Sequence, residues 1–199
     1  MENVAQVAMP EFSTQHARAK LGMWLFLGSE VMFFAGFIGA YIVLRSANPQ
    51  LFIDAFQQLS KPMAAINTMF LITSSLTMAL AVHNSQHGRR EQTGDYLMWT
   101  ILLGCAFMVV KSIEYGTKFS HGIFPSTSVP FACYFTMTGF HCLHVAAGIW
   151  ALLVLWGRAQ ANSDVRGMAG ACELTGLYWH LVDLIWIFLF PIVYLLKFP

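Results

Sequence analysis

Charged residues are scarce in this 199-residue chain. Asp, Glu, Lys and Arg make up 11% of it, whereas a soluble domain carries about a quarter. Hydrophobic residues make up 57%, and the mean hydropathy is +0.58. The formal net charge is only +1. The chain therefore lacks the excess of basic residues typical of a nucleic-acid-binding protein, and no nucleic-acid partner is expected. This balance predicts an integral membrane protein rather than a soluble domain with a large core.

The chain also lacks paired cysteines and the common catalytic signatures. Its four cysteines form no CxxC pair and lie in or beside apolar segments, which predicts buried free thiols at Cys105, Cys133, Cys142 and Cys172. No nucleotide-binding glycine fingerprint, phosphate loop, nucleophile elbow or HExxH motif is present. The polar stretch 1–20 has no cleavable leader pattern, so we expect insertion through the chain's own helices. Nothing in the sequence indicates a self-sufficient active site.

Five apolar stretches are long enough to cross a membrane, which takes about 20 residues in a helix. None shows the alternating pattern of a transmembrane β-barrel. The sequence therefore predicts an all-α fold, an integral membrane bundle of five transmembrane helices. A cytoplasmic N-terminal segment, 1–20, precedes a membrane domain over 21–197, with spans at 21–44, 62–82, 96–115, 129–156 and 174–196.

Basic residues give the expected orientation. The N-terminal segment and the 83–95 and 157–173 connections share one side of the membrane. That side carries six of the eleven Lys and Arg residues, and the other side carries five. The excess of positive charge favours a cytoplasmic amino terminus and an external carboxyl terminus.

Ionisable side chains lie within the predicted spans, where each costs about 2.5–3.5 kcal/mol at the centre of a helix on insertion scales. Glu30 and Asp183 each lie roughly nine residues into a span, so ~14 Å deep. His180 and Asp183 are three residues apart and share a helix face. Two interpretations remain open for these groups: a proton-related site, or a polar clamp that joins helices. We expect Glu30 to hydrogen-bond a histidine or carbonyl of a neighbouring helix, and His180 and Asp183 to face neighbours within the chain.

Two further histidines, His141 and His144, are also three residues apart. They could bind a metal, or His141 could join His180 on a haem, but no third strong ligand follows in the same helix. Cys142 points ~100° away from His141. Interhelical hydrogen bonding by satisfied histidines is the favoured role, and we expect no metal site.

Three smaller features complete the predictions from the residues. Lys111 and Glu114 form a local or interfacial ion pair at a helix end. The glycines of the segment 36–41 allow close helix approach. The remaining histidines are expected in solvated loops: His16, His83, His87 and His121.

Three long stretches resemble subunit III of the haem–copper terminal oxidases. They are KLGMWLFLGSEVMFFAGFIGAYIVLR (Lys20–Arg45), TGFHCLHVAAGIW (Thr138–Trp150) and ELTGLYWHLVDLIWIFLFPIVYLL (Glu173–Leu196). The Glu114-Tyr115 pair and the spacing from Glu173 to Tyr178 are similar to the family as well, and mark Glu114, Glu173 and Tyr178 as structural polar residues. The segments SEVMFF and YWHLVD look closer to the cytochrome c oxidase branch than to the quinol oxidases.

The resemblance implies a non-catalytic subunit of an oxidase in the bacterial cytoplasmic membrane, with haem and copper in partner subunits and none in this chain. Such a subunit packs against subunit I, which reduces oxygen and pumps protons. It also binds phospholipid, supports proton uptake and protects the complex from inactivation during turnover. Glu30 matches the family's intramembrane carboxylate that reacts with carbodiimides.

The chain departs from the long, seven-helix form of the family in lacking its two leading helices, so the lipid cleft must be formed differently. Cys142 stands where the family commonly has glycine. The alternatives are subunit III of a quinol oxidase, the accessory protein of nitric oxide reductase, and an independent proton or ion transporter in which Glu30, His180 and Asp183 carry protons. A b-type cytochrome that anchors a quinone-linked dehydrogenase is the remaining alternative.

Overall fold

The structure, a computed structural model, describes residues 11–57, 59–161 and 165–195. Every regular element in these ranges is helical: α1 (Glu11–Ala47), α2 (Pro49–Phe56), α3 (Lys61–Gln86), α4 (Arg90–Ser120), α5 (Val129–Gln160) and α6 (Val165–Phe190), which continues into a π-helical turn (Pro191–Leu195). Five helices are long and apolar enough to cross a membrane. The predicted all-α class with five spans is therefore confirmed. Of the predicted segments, residues 1–10 and 196–197 lie outside the described residues.

The helices extend beyond the predicted apolar spans, because polar residues at their ends continue the helical turns. Residues 11–20 form part of α1, although they were predicted as a separate segment. Helix α2 was not predicted. It begins with Pro49, whose fixed φ suits the first turn of a helix, and it buries Phe52 and Ala55.

Two tight connections use glycine in the left-handed conformation. Gly88, with φ 70°, follows α3, and Gly122, with φ 73°, follows α4. At the second, the amide of Gly122 donates to the carbonyl of Phe119, and the amide of Ile123 donates to that of Lys118. These are the paired bonds of a Schellman motif, which satisfies the last carbonyls of a helix and reverses the chain.

The helices α3, α4, α5 and α6 form a ring in which each packs against the next, and α6 closes the ring against α3. The side chain of Trp179 fills the centre of the ring. A Cβ atom on Gly148 would meet its ring at 2.7 Å, and one on Gly104 would meet it at 2.9 Å. These two glycines therefore make room for an indole ring. At Gly36 and Gly39 nothing lies within 4 Å of a Cβ atom built there, so no described helix of this chain makes the predicted close approach at these two glycines.

Helix α1 lies outside this ring, against α5 and α6. In its most apolar window 17% of the residues are buried, compared with 44% in α6. Because lipid tails are as apolar as the side chains, burial alone holds membrane helices together weakly. The attachment of α1 therefore combines polar contacts with the packing of Phe33 and Phe37 on Phe140 of α5.

The cysteines differ in exposure from the prediction. Cys172 is buried and Cys133 and Cys142 are half-buried, but Cys105 is exposed. The prediction of buried thiols is wrong for Cys105. None of the four forms a disulfide.

Candidate functional site: polar residues of the membrane-spanning helices

A carboxyl–imidazole pair joins α1 to α5 about midway along both helices. Oε2 of Glu30 lies 2.9 Å from Nε2 of His144. The opposite ring nitrogen, Nδ1, lies 2.7 Å from the carbonyl oxygen of Phe140, one turn earlier in α5. Both nitrogens of His144 are thus engaged. A third helix reaches the same place, because the hydroxyl of Tyr178 in α6 donates to the carbonyl of His144 at 3.0 Å.

The geometry of this pair indicates where its hydrogens lie. A carbonyl oxygen can only accept a hydrogen bond, so Nδ1 of His144 must carry a hydrogen. One proton then lies between Nε2 and Glu30. Either a neutral acid donates to a neutral ring, or an imidazolium donates to a carboxylate. In both cases the pair is neutral overall, which removes most of the cost of placing Glu30 within a membrane.

Helix α1 has a second polar contact near its beginning. Nζ of Lys20 lies 2.6 Å from Oε1 of Glu173 in α6, and Nε2 of His16 lies 3.2 Å from Oε2 of the same carboxylate. The prediction of a solvated loop is wrong for His16, which is part of α1 and half-buried. His83, His87 and His121 are exposed as predicted, although His83 lies in the last turn of α3 rather than in a loop.

A third polar contact lies at the other end of α1. The hydroxyl of Tyr41 donates to the carbonyl of Ile192 at 3.1 Å, and Nη1 of Arg45 donates to the Tyr41 oxygen at 2.5 Å. Carbonyls in the last turn of a helix lack partners within the helix and attract positive charge, so this contact satisfies the end of α6. Together, the Glu173, His144 and Ile192 contacts form three polar ties that fasten α1 to the ring.

A buried charged network lies within the ring itself. Nζ of Lys111 donates to Oε2 of Glu114 at 2.9 Å and to the hydroxyl of Tyr194 at 2.8 Å. The other carboxylate oxygen, Oε1, accepts from the hydroxyls of Tyr134 and Tyr194, both at 2.9 Å. The predicted local ion pair is present. Both side chains are buried within the chain, since Lys111 and Glu114 are 2% and 3% exposed.

His141 lies near this network but has a different environment from His144. It is fully buried, and its ring stacks on that of Trp186 at 5.1 Å between centroids. Neither of its nitrogens has a hydrogen-bond partner among the described residues. The expectation that both histidines make interhelical hydrogen bonds therefore fails at His141.

The pair in α6, His180 and Asp183, does not form a mutual contact. Nδ1 of His180 lies 2.7 Å from the hydroxyl of Ser75 in α3. Asp183 is 3% exposed, and neither of its carboxyl oxygens has a hydrogen-bond partner in the described part of the chain. The two residues thus share a helix face and both lie beside Ser75 of α3, whose hydroxyl is bonded to His180 at 2.7 Å.

Metal-ligating side chains do not converge in the described ranges, where no group of three or more His, Cys, Asp or Glu could hold an ion. The sequence prediction missed three residues that complete the polar contacts: Ser75, Tyr134 and Tyr194. A hydroxyl in an apolar stretch is common, and nothing local distinguishes these three.

The chain resembles proteins of one family over nearly all of its length. The family model of cytochrome c oxidase subunit III matches residues 9–197. Cytochrome c oxidase subunit 3 of Corynebacterium diphtheriae is 33% identical over 89% of this chain and 87% of its own, and that of Bacillus subtilis is 32% identical over 95% and 92%. Cytochrome bo(3) ubiquinol oxidase subunit 3 of Pseudomonas aeruginosa is 34% identical over 88% and 83%.

Proposed function

The chain belongs to the cytochrome c oxidase subunit III family, and we propose on that premise that it serves as a non-redox subunit of a proton-pumping haem–copper oxidase. Haem and copper would reside in partner subunits, and the complex would lie in a bacterial cytoplasmic membrane with the amino terminus of this chain in the cytoplasm. The five apolar helices fit a multi-pass membrane protein.

The hydrogen bonds of the His144 ring are the observation that supports a non-redox role. Both of its ring nitrogens are taken, one by a backbone carbonyl and one by Glu30, so no lone pair remains for a metal or haem. One ring nitrogen of His180 is hydrogen-bonded to the hydroxyl of Ser75. His144 and His180 therefore serve contacts between helices, and in the described ranges His141 has no two further His, Cys, Asp or Glu side chains beside it that could complete a metal site.

We propose that the polar ties give α1 and the ring a fixed shape that subunit I and phospholipids recognise. Glu30, His144 and Tyr178 would hold α1, while Lys111 and Glu114 would hold the ring. Through this packing the subunit would keep subunit I competent for proton uptake and protect it during turnover. An independent proton transporter is disfavoured, because Glu30 is hydrogen-bonded to His144 of α5 whereas His180 is hydrogen-bonded to Ser75 of α3, and no hydrogen-bonded chain joins the two sites among the described residues.

The electron donor is part of the same proposal. Relatives named for cytochrome c and for ubiquinol oxidases match this chain about equally well, at 33% and 34% identity. We propose cytochrome c, on the resemblance of the SEVMFF and YWHLVD segments to that branch. The purified complex should oxidise reduced cytochrome c, and oxidation of a quinol alone would reverse this assignment.

Co-purification tests the function directly. An affinity tag on this chain should recover a complex with oxygen-reducing activity, haem and copper. The isolated chain should show no Soret band and no stoichiometric haem, copper or zinc by metal analysis. One equivalent of any of these in the isolated chain would overturn the non-redox role, and recovery of the chain without any haem-bearing partner would overturn the assignment to an oxidase complex. Reconstituted alone in vesicles, the chain should move no protons.

A further inference from the structure

A groove of about 510 Å³ lies between the beginning of α3 and the end of α4. Ser60, which precedes α3, and Met63 in its first turn line one side. Lys118 in the last turn of α4 and His121 just after it line the other. This α3–α4 groove therefore lies at one end of the bundle, where two spanning helices reach the membrane surface.

Lys118 is the cation of this groove that has no partner. The residue is 5% exposed, yet its ammonium group forms no hydrogen bond or ion pair with the described part of the chain. The ring of Tyr134 lies 5.3 Å from Nζ, and such a contact leaves the three N–H donors of the ammonium group unbonded. The nitrogen is accessible from the groove, unlike the enclosed carboxyl oxygens of Asp183.

The surrounding groups do not use up this positive charge. The carboxylate of Glu114, one turn earlier in α4, is already bonded to Lys111 and to two tyrosine hydroxyls. Two ammonium groups therefore share one carboxylate. The last carbonyls of α4 do not need Lys118 either, because amides of the following turn bond them, including the amide of Ile123 to the Lys118 carbonyl. One cation is left over beside the groove.

The beginning of α3 adds further attraction for an anion. The first amides of a helix have no partner within it and carry a partial positive charge, so anions bind well at this end. Ser60 occupies the N-cap position, but its side chain forms no capping hydrogen bond. Its hydroxyl can therefore donate to a ligand. Hydrogen-bond donors thus come from α3 on one side of the groove and from Lys118 on the other.

We propose that the α3–α4 groove binds a phosphate group, whose oxygens accept hydrogen bonds from Nζ of Lys118 and from the beginning of α3. A phosphate fits because its negative charge matches the unpaired cation, and its several oxygens can accept from both helices at once. The inference rests on the proposed function, which includes the binding of phospholipid, and it gives that binding a place and a chemistry.

The length of α4 indicates where the phosphate comes from. Its 31 residues extend over about 46 Å, whereas the hydrocarbon layer is about 30 Å thick. Lys118 lies beyond the apolar span 96–115, and therefore at the level of lipid headgroups. Met63 and Ile123 line the same groove and would contact the first carbons of acyl chains. A phospholipid headgroup is the expected source, and free inorganic phosphate is the alternative.

Photo-crosslinking in the intact, full-length complex tests the occupant. A diazirine amino acid replaces Met63 in the groove. As a matched control, it replaces Met69, which is further along α3 and 64% exposed, and which reports the bulk lipid. The vesicles contain phosphatidylglycerol and a phosphate-free glycolipid with the same acyl chains. We expect adducts at Met63 to be enriched in phosphatidylglycerol relative to those at Met69. Adducts with a polypeptide of another subunit in place of lipid would overturn the proposal.

Substitutions test the role of the ammonium group. Lys118→Met should lower the phosphatidylglycerol enrichment at Met63 about fivefold, the effect of one basic residue beside anionic lipid. Lys118→Arg keeps the charge and should keep most of the enrichment. Lys61→Met is the matched control, because Lys61 begins α3 at the same end of the bundle but is exposed and does not line the groove. Unchanged enrichment in Lys118→Met, or an equal loss in Lys61→Met, would overturn the proposal.

Radiolabelled inorganic phosphate separates the two sources. Equal labelling of Met63 by the two lipids, combined with one equivalent of phosphate bound to the purified complex and lost in Lys118→Met, would keep the site and assign it to the free anion. Equal labelling without bound phosphate would overturn the proposal. Neither measurement depends on the folding of a Lys118 variant in the wild-type comparison. The chain would still co-purify with haem if both failed, so the proposed function would stand.

Discussion

Replacing Glu30 with leucine tests the central polar tie between α1 and α5. The variant removes the 2.9 Å bond to His144 and leaves Nε2 of that histidine without a partner. Glu30→Gln is the conservative counterpart. Its amide can donate to Nε2 while Nδ1 keeps its bond to the Phe140 carbonyl, so we expect it to behave like the wild type.

The size of the effect can be worked out from the contact. One interhelical hydrogen bond in a membrane contributes on average about 0.6 kcal/mol and at most about 1.7 kcal/mol, and an unsatisfied buried group adds about 1–3 kcal/mol. Glu30 and His144 are 17% and 18% exposed, which favours the lower part of these ranges. If the free energy that holds α1 against α5 falls by about 1–2 kcal/mol, the population with α1 detached at its centre rises roughly fivefold to thirtyfold. The two outer ties still hold the helix, so the subunit should assemble.

The assay follows oxygen consumption by the purified oxidase over successive turnovers. We expect Glu30→Leu to start at a nearly normal rate, because the proposed function assigns electron transfer to another subunit, and then to lose activity several times faster than the wild type. Met32→Leu is the matched control, since Met32 lies two residues further along α1 and is 76% exposed. A Glu30→Leu enzyme that ages like the control, or one whose initial rate collapses with assembly intact, would refute the reasoning.

Three further predictions concern the ring and its orientation. Lys111→Leu leaves the carboxylate of Glu114 buried without the cation that it pairs with. The free energy of unfolding, measured by thermal unfolding, should fall by about 3–5 kcal/mol. An unchanged free energy of unfolding would show that the network contributes nothing. Gly148→Ala places a Cβ 2.7 Å from the ring of Trp179 and should cost about 1–3 kcal/mol, whereas Gly157→Ala, with nothing within 4 Å, should be neutral in the same melting experiment. Cysteines placed in the α3–α4 and α4–α5 connections, in a background without native cysteines, should react with an impermeant maleimide from opposite faces, and labelling of both from one face contradicts the topology.

Local spacing predicted part of the polar network and no more. Lys111 and Glu114 are three residues apart, so a helix places them on one face, and their pairing follows directly. The hydroxyls that complete the network come from Tyr134 and Tyr194, which are 20 and 80 residues beyond Glu114. Only the packing of three helices brings these groups together, and a single sequence carries no signal for such a distant contact.

The two histidines of α5 show the limit of an argument from shared faces. Positions three apart on a helix differ by about 60° in direction. In this ring that difference separates the seam with α1, which His144 faces, from the interior, where His141 stacks on Trp186. Spacing alone therefore predicts neighbours on a helix, whereas the position of the surrounding helices decides their partners.

Glycines in the sequence did not predict where helices pack closely, for a related reason. Gly36 and Gly39 of α1 look suited to close helix approach, yet no described residue of another helix lies within 4 Å of a Cβ atom built at either position. Gly104 and Gly148 drew no attention in the sequence, but they accommodate the indole of Trp179. A helical glycine has the same local appearance in both settings, because the bulky side chain that needs the space belongs to another helix.

The three polar ties set an order of events during synthesis of the chain. Helix α1 is synthesised before the helices that hold it: His144 follows Glu30 by 114 residues, which takes about 6–23 s at the usual 5–20 residues per second. Glu173 follows Lys20 by 153 residues and arrives later still. Two of the three ties reach α6 and the turn that continues it, so α1 cannot be fully fastened to the ring until the last of the described helices has been made. A chain that stalls before α6 would hold α1 by the Glu30–His144 contact alone.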